Sequence, residues 1–240
     1  MLTGAALCPA TPLLWPQATG RDPVVADLRD ACAHAVRRLV ETGPDLLAVI
    51  GPARATGEWD PGARLDPSVF APGSTPRAGA AKAGGTALPP ALGLGAFLLD
   101  QAGYGGQRRL QAVGTTEPAG ACAALGRQLR DAGTGTALLV MGDGSARRTL
   151  KAPGYLDSRA GAFDAEAERA VRECDFAALS HLDQQLAQEL MVTGWPAWQA
   201  LAGAAQGLVL TADVLYCDAP FGVGYIVASI DPGGTAPGGT

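Results

Sequence analysis

Histidine and lysine are almost missing from this chain. Its 240 residues hold two of each, His34 and His181, Lys82 and Lys151. Few histidines leave little material for histidine-based metal sites or acid–base dyads. A formal charge of −5 excludes a general nucleic-acid binder, which needs a basic face to release counterions. The five cysteines are Cys8, Cys32, Cys122, Cys174 and Cys217, and none form a CxxC pair. That spacing argues against zinc and against a disulfide framework, and the odd number fits a reducing compartment. No apolar run approaches the ~18 residues a membrane span needs. The opening MLTGAALCPATPLLWP lacks a basic lead and is broken by prolines, so it reads as strand and turn, not as a signal peptide. A soluble cytoplasmic protein is the expectation.

Against these absences, 48% of the residues are hydrophobic, enough for a sizeable core. Leu2 to Cys8 reads as a buried first strand, and Pro9, Pro12 and Pro16 predict an extended loop after it. Asp22 to Glu41 carries Val25, Leu28, Cys32, Val36 and Leu39 at helical spacing, with His34 on that helix. DLLAVIG, Asp45 to Gly51, is a continuous apolar run and fits a parallel strand covered on both faces. Gly57 to Pro90 is rich in glycine and proline, with one short strand expected near Val69 and Phe70. Helices are predicted over 91–102 and 118–132, and strands over 109–114 and 136–141. Several helices are expected between Phe163 and Ala205, with Asp164 and Asp175 as N-caps. Strands over 208–216 and 224–230 close the chain. The expectation is an α/β fold of three layers, with a mixed, mostly parallel central sheet flanked by helices. It forms one domain over 1–232, followed by a disordered Gly/Pro tail at 233–240.

Ligands of open α/β sheets sit where a buried strand runs into a glycine loop. Here that place is Gly142-Asp143-Gly144-Ser145, after the strand ALLVM. Arg147, Arg148, Lys151 and Arg159 follow. These four cations either receive a small anion or pair with Asp157, Asp164 and Glu166. Ser145 lacks the GxSxG elbow of a serine nucleophile, and no GxGxxG follows the first strand. Asp143 and Asp157 are candidate general bases, and together they make a sparse magnesium donor set. Trp195 and Trp198, one turn apart, either wall an aromatic ligand pocket or pack as core. The apolar stretch from Trp195 to Leu201 would equally serve to join subunits of a homo-oligomer.

An ordered series runs through the chain: CPATPLLWP, VIGPA, VMGDGSA, AFDAEAERAVRECDFAALSHLD and TGWPAWQALAGAA. This series resembles the LigB-like class III extradiol ring-cleavage dioxygenases and the related Memo-like proteins, closest to an alanine-rich actinobacterial branch. The resemblance implies a ferrous ion held by two histidines and a glutamate, with a further histidine as acid and base while dioxygen opens a catechol ring. On this sequence the ligand positions fall at Ala10 and Ala53 and the acid–base position at Ala146. The glutamate region falls on Trp195 to Gln199, which has no acid. A methyl group offers iron no lone pair and carries no exchangeable proton. The expectation is therefore a relative that has lost Fe(II) and ring cleavage and needs no cofactor. It would bind a small anionic or aromatic ligand, or an acidic partner surface, through Asp143, Gly144, Ser145, Arg147, Arg148, Lys151, Trp195 and Trp198. The alternatives are a metal-free enzyme using Asp143 or Asp157, another oxidoreductase acting on an aromatic substrate, or an active dioxygenase in which His34 and His181 converge.

Overall fold

A computed structural model describes residues 1–16, 23–66, 70 and 88–233. The central strands form where the sequence runs apolar without a break. β1 (Leu2–Cys8), β2 (Leu46–Ala53), β4 (Gln107–Gly114) and β5 (Thr136–Met141) lie side by side, and every residue of β5 is buried. The seven-stranded sheet has the order β3 (Gly57–Trp59), β4, β2, β5, β1, β7 (Tyr225–Pro232), β6 (Leu210–Asp218). β4, β2, β5 and β1 run parallel. β3 joins one edge antiparallel. β7 and β6 close the other edge as an antiparallel pair, with β7 antiparallel to β1. The fold is thus the expected three-layer α/β arrangement, with a mixed sheet that is parallel at its centre.

Successive side chains of a strand point to opposite faces, so the sheet feeds two apolar cores. Leu139 and Met141 join Leu47, Val49 and Leu110 on one face, covered by α1 (Ala26–Glu41) and α2 (Pro90–Gln101). α1 turns Leu28, Cys32, Ala35, Val36 and Leu39 inward and leaves His34 exposed. Leu138 and Val140 join Leu7, Ala48 and Ile50 on the other face. There α3 (Ala119–Arg130) packs against α7 (Trp195–Ala205), and α4 (Ala160–Arg172) lies against β6. Two short helices, α5 (Phe176–Ser180) and α6 (Gln184–Glu189), bridge α4 to α7. All eleven residues of α7 are buried, so its Trp195 to Leu201 stretch is core and has no face free to join subunits.

Three local expectations are corrected. The prolines after β1 do not yield a purely extended loop: Pro12–Leu14 is one 3-10 turn, because the fixed φ of Pro12 suits a first helical position and the Thr11 hydroxyl accepts from the Leu13 N–H. Asp175 caps α5, accepting from the Ala178 N–H at 2.9 Å, but Asp164 is no cap. It sits inside α4, which starts one turn earlier at Ala160. Phe70 lies in a turn, and among the described residues the strand of that region is β3, further upstream. Val69, the start of the first predicted helix at Asp22 and the tail from residue 234 lie outside the described residues. Among the described residues no helix is long and apolar enough to cross a membrane.

Candidate functional site

The carboxyl ends of the parallel strands define one edge of the sheet, and the glycine loop after β5 lies on it. The Gly142 N–H donates to the Cys8 carbonyl at 2.9 Å, which ties the end of β5 to the end of β1. The Asp143 carbonyl accepts from the Gly194 N–H at 2.8 Å, and the Asp143 N–H donates to the Thr193 hydroxyl at 3.2 Å. The Gly144 N–H donates to the Gly224 carbonyl at 2.7 Å, and the Gly224 N–H donates back to the Ser145 carbonyl at 2.8 Å. The loop is therefore stapled on three sides before any side chain is considered.

Asp143 turns toward the loop after β1. Its Oδ1 accepts from the Ala10 N–H at 2.8 Å. The residue is half-buried, and it lies within electrostatic reach of Cys32 and Tyr225. Burial pushes its carboxyl up to about 7, although the Ala10 N–H favours the charged form. The Tyr225 hydroxyl shares a 3.2 Å hydrogen bond with Thr11, and burial together with the nearby Asp143 pushes it up to about 12.

Ser145 has the opposite surroundings. It is fully buried, and both its N–H (2.8 Å) and its hydroxyl (3.1 Å) donate to Asp164. Arg148 donates to the same carboxylate at 3.0 Å. Gly144 is required here: a Cβ on it would stand 2.9 Å from Asp164 Oδ1 and 3.0 Å from the Gly224 carbonyl. Ser145 and Arg148 therefore brace the loop around a buried carboxylate. That explains the polar residue on the inner face of α4, a signal present in the sequence but one that local pattern assigns to a cap.

The other cations divide. Arg159 grips Asp157 at 2.8 Å and Glu189 at 2.8 Å. The bonds from Arg159 hold the Asp157 carboxyl down to about 2. Asp157 is thus an ionised partner, poorly suited to take a proton near neutrality. Arg147 buries its Nε without a hydrogen-bond partner among the described residues. Lys151 is exposed and forms no ion pair among them. Arg148 thus serves Asp164, while Arg159 and, at longer range, Arg147 serve Asp157.

The two tryptophans separate as well. Trp195 lines a cavity of about 300 Å³, its indole N–H donating to the Leu182 carbonyl at 2.8 Å. Trp198 is 1% exposed and lies in the core behind it. The cavity is closed by Thr115 and Thr116 after β4, by Ala146, by α6 and by Met191 to Thr193. None of its described lining side chains is charged. Met191 adopts φ +59, ending α6 in a left-handed residue and turning the chain under the cavity. Thr115, Thr116, Thr193, Gln184 and Gln188 supply its polar groups, and none is singled out by the sequence pattern. Thr115 and Thr116 do carry a usable signal, since they follow a buried strand at the same sheet edge.

The three alanines lie on that edge. Ala10 follows β1, Ala53 ends β2 and accepts from the Thr115 N–H at 3.0 Å, and Ala146 follows β5. Among the described residues no three His, Cys, Asp or Glu side chains cluster so as to hold a metal ion. His34 lies on the outer face of α1 and His181 caps the end of α5, so neither reaches the edge.

The sequence matches no known family, and no curated protein matches it. Among solved structures, the uncharacterized protein JW3007 from Escherichia coli K12 is similar to this chain, with a TM-score of 0.54 and 14% identity. The alignment covers 95% of this chain and 99% of that one. The likeness is one of fold.

Proposed function

We propose that this chain is an iron-free relative of the class III extradiol dioxygenases that binds a small, neutral, largely apolar molecule at the carboxyl edge of its sheet. The observation that carries this reading is the 300 Å³ cavity, which abuts Ala146 and has no charged side chain in its described lining. Pockets of this size with an apolar wall and a few polar groups suit one aromatic ring bearing a hydroxyl or carbonyl. Trp195 offers the wall, and the threonines and glutamines offer the hydrogen bonds. The resemblance asks for iron at Ala10 and Ala53 and for a proton shuttle at Ala146. Three methyl groups do not fit that role, and Asp143 alone, already bonded to the Ala10 N–H, does not replace them. An anionic ligand fits less well, because Arg148 and Arg159 are engaged by carboxylates.

A second reading rests on Asp143, whose carboxyl near 7 is matched to general acid–base work. Such an enzyme would act without metal, on a substrate held between the loop after β1 and Tyr225.

Titration with catechol while following tryptophan fluorescence tests the first reading. A saturable change is expected, lost in Ala146→Phe at unchanged melting temperature, with the catechol ring intact after anaerobic loading with ferrous ion and exposure to air. Ring opening with one iron per chain, or no saturable binding, overturns it.

A further inference from the structure

We propose that the chain carries a second ligand site, remote from the sheet edge, which takes a small organic carboxylate with an apolar body. The site is a cavity of about 570 Å³ on the outer helical layer. It lies between the last turns of α3 and α7 and the start of α5. The cavity at the sheet edge borders the first turn of α7 instead, so the two sit at opposite ends of that helix.

Its floor is apolar. Phe176, Ala202 and Ala205 are buried there, and Leu208 stands at the rim, 37% exposed. Its positive group is Arg127. That guanidinium has no ion pair among the described residues and only a long 3.4 Å contact to Gln206 Oε1. Arg130, one turn on, takes the tasks that would otherwise occupy it. Arg130 pairs with Asp131 and donates to the Ala204 and Gln206 carbonyls that end α7. Arg127 is left with a planar fork of donors over an apolar floor, the geometry that recognises a carboxylate.

Besides Arg127, the described lining carries one carboxylate, one thiol and one imidazole, with the carboxylate turned outward to Arg169. Asp175 is the one carboxylate in the described lining. Its Oδ1 caps α5, and its Oδ2 turns toward Arg169 at 3.7 Å, a guanidinium it shares with Glu166 and Glu173. The Cys174 thiol is pushed up by burial and stays neutral. His181 bonds the Ala177 carbonyl through Nδ1 at 2.6 Å, which places a proton on Nδ1 and leaves Nε2 for a ligand or water.

The two histidines make the test direct, because each gives its own ring proton signal. Benzoate is added to the full chain, with inorganic phosphate and benzyl alcohol as separate probes. The expected result is a saturable shift of His181 by benzoate, with a Kd near about 1 mM, while His34 does not move. Phosphate and benzyl alcohol shift His181 at least tenfold more weakly, since each supplies half of the recognition. Arg127→Gln removes the response, and Arg127→Lys weakens it several-fold because an ammonium lacks the fork. Leu208→Glu, at the exposed rim, weakens it by repulsion and serves if Arg127→Gln is poorly folded. No saturable shift, a response in Arg127→Gln and Leu208→Glu as strong as in the parent, or phosphate binding as well as benzoate would each overturn the proposal.

Discussion

Arg148 Nη1 lies 3.0 Å from Asp164 Oδ2, and the receiving carboxylate is 4% exposed while the guanidinium is 34% exposed. Asp164 also takes both donors of Ser145. Burial still outweighs these bonds and leaves its carboxyl raised. Removing the guanidinium leaves a buried carboxylate short of its one cation. Arg148→Ala is therefore expected to cost about 2–3 kcal/mol, read as a clear fall in melting temperature. The loss should shrink as pH falls, because a protonated Asp164 no longer needs the partner. A melting temperature unchanged by the substitution would return Arg148 to the pool of free, ligand-binding cations.

Asp143 gives a stability profile with a definite sign. Its folded pKa of about 7 stands above the ordinary 3.8, so the folded chain binds this proton more tightly than the unfolded chain. Its contribution is fully present below about pH 4 and is lost as pH rises to about 7. Asp143→Asn keeps the oxygen that accepts from Ala10 and removes the titration. The variant should be less pH-dependent across that window and more stable than the parent by about 2 kcal/mol above neutrality, the full shift being discounted for partial exposure. Urea melts across the window check this; parallel profiles for parent and variant would contradict it.

Much of the sheet is legible in the sequence because its central strands must be covered twice. LLAVIG and TALLVM are apolar on both faces, and only a strand inside a two-sided sheet needs that. β3 is not legible. Gly57–Trp59 is three residues long inside a glycine- and proline-rich stretch, and it pairs because the edge of β4 needs a partner; Gln111 also donates to the Gly57 carbonyl at 2.9 Å. Asp164 mimics a cap because local pattern cannot see Ser145 and Arg148 closing on it from an earlier loop. The glycine loop after Met141 stands out from composition alone. The cavity beside it does not, since it is assembled from Thr115, Ala146, Gln188 and Trp195, which only the fold brings together.

The two carboxylates of the loop region should titrate far apart. Asp157 is held down by Arg159, while Asp143 is held up by burial. Carboxyl carbon shifts should show Asp157 still ionised at about pH 4, and Asp143 half-ionised near about 7. If a metal-free activity exists at the sheet edge, its rate should follow the Asp143 midpoint and survive Asp157→Asn. An activity lost in Asp157→Asn but retained in Asp143→Asn would place the base in the wrong loop.

Two glycines of α3 offer a matched comparison of packing against propensity. A Cβ on Gly126 would run into the Ala200 carbonyl of α7, while a Cβ on Gly120 meets nothing within 4 Å. Both sites gain helix propensity on substitution by alanine, by up to about 1 kcal/mol. At Gly126 the neighbour is backbone in a fully buried helix and cannot swing aside, so helix separation or strain of about 3 kcal/mol outweighs that gain. Gly126→Ala should therefore destabilise the chain, while Gly120→Ala should leave it unchanged or raise its stability by about 0.5 kcal/mol. Denaturant midpoints at constant m-value decide the pair. Equal effects at the two positions would mean that α3 and α7 do not approach as closely as Gly126 and Ala200 require.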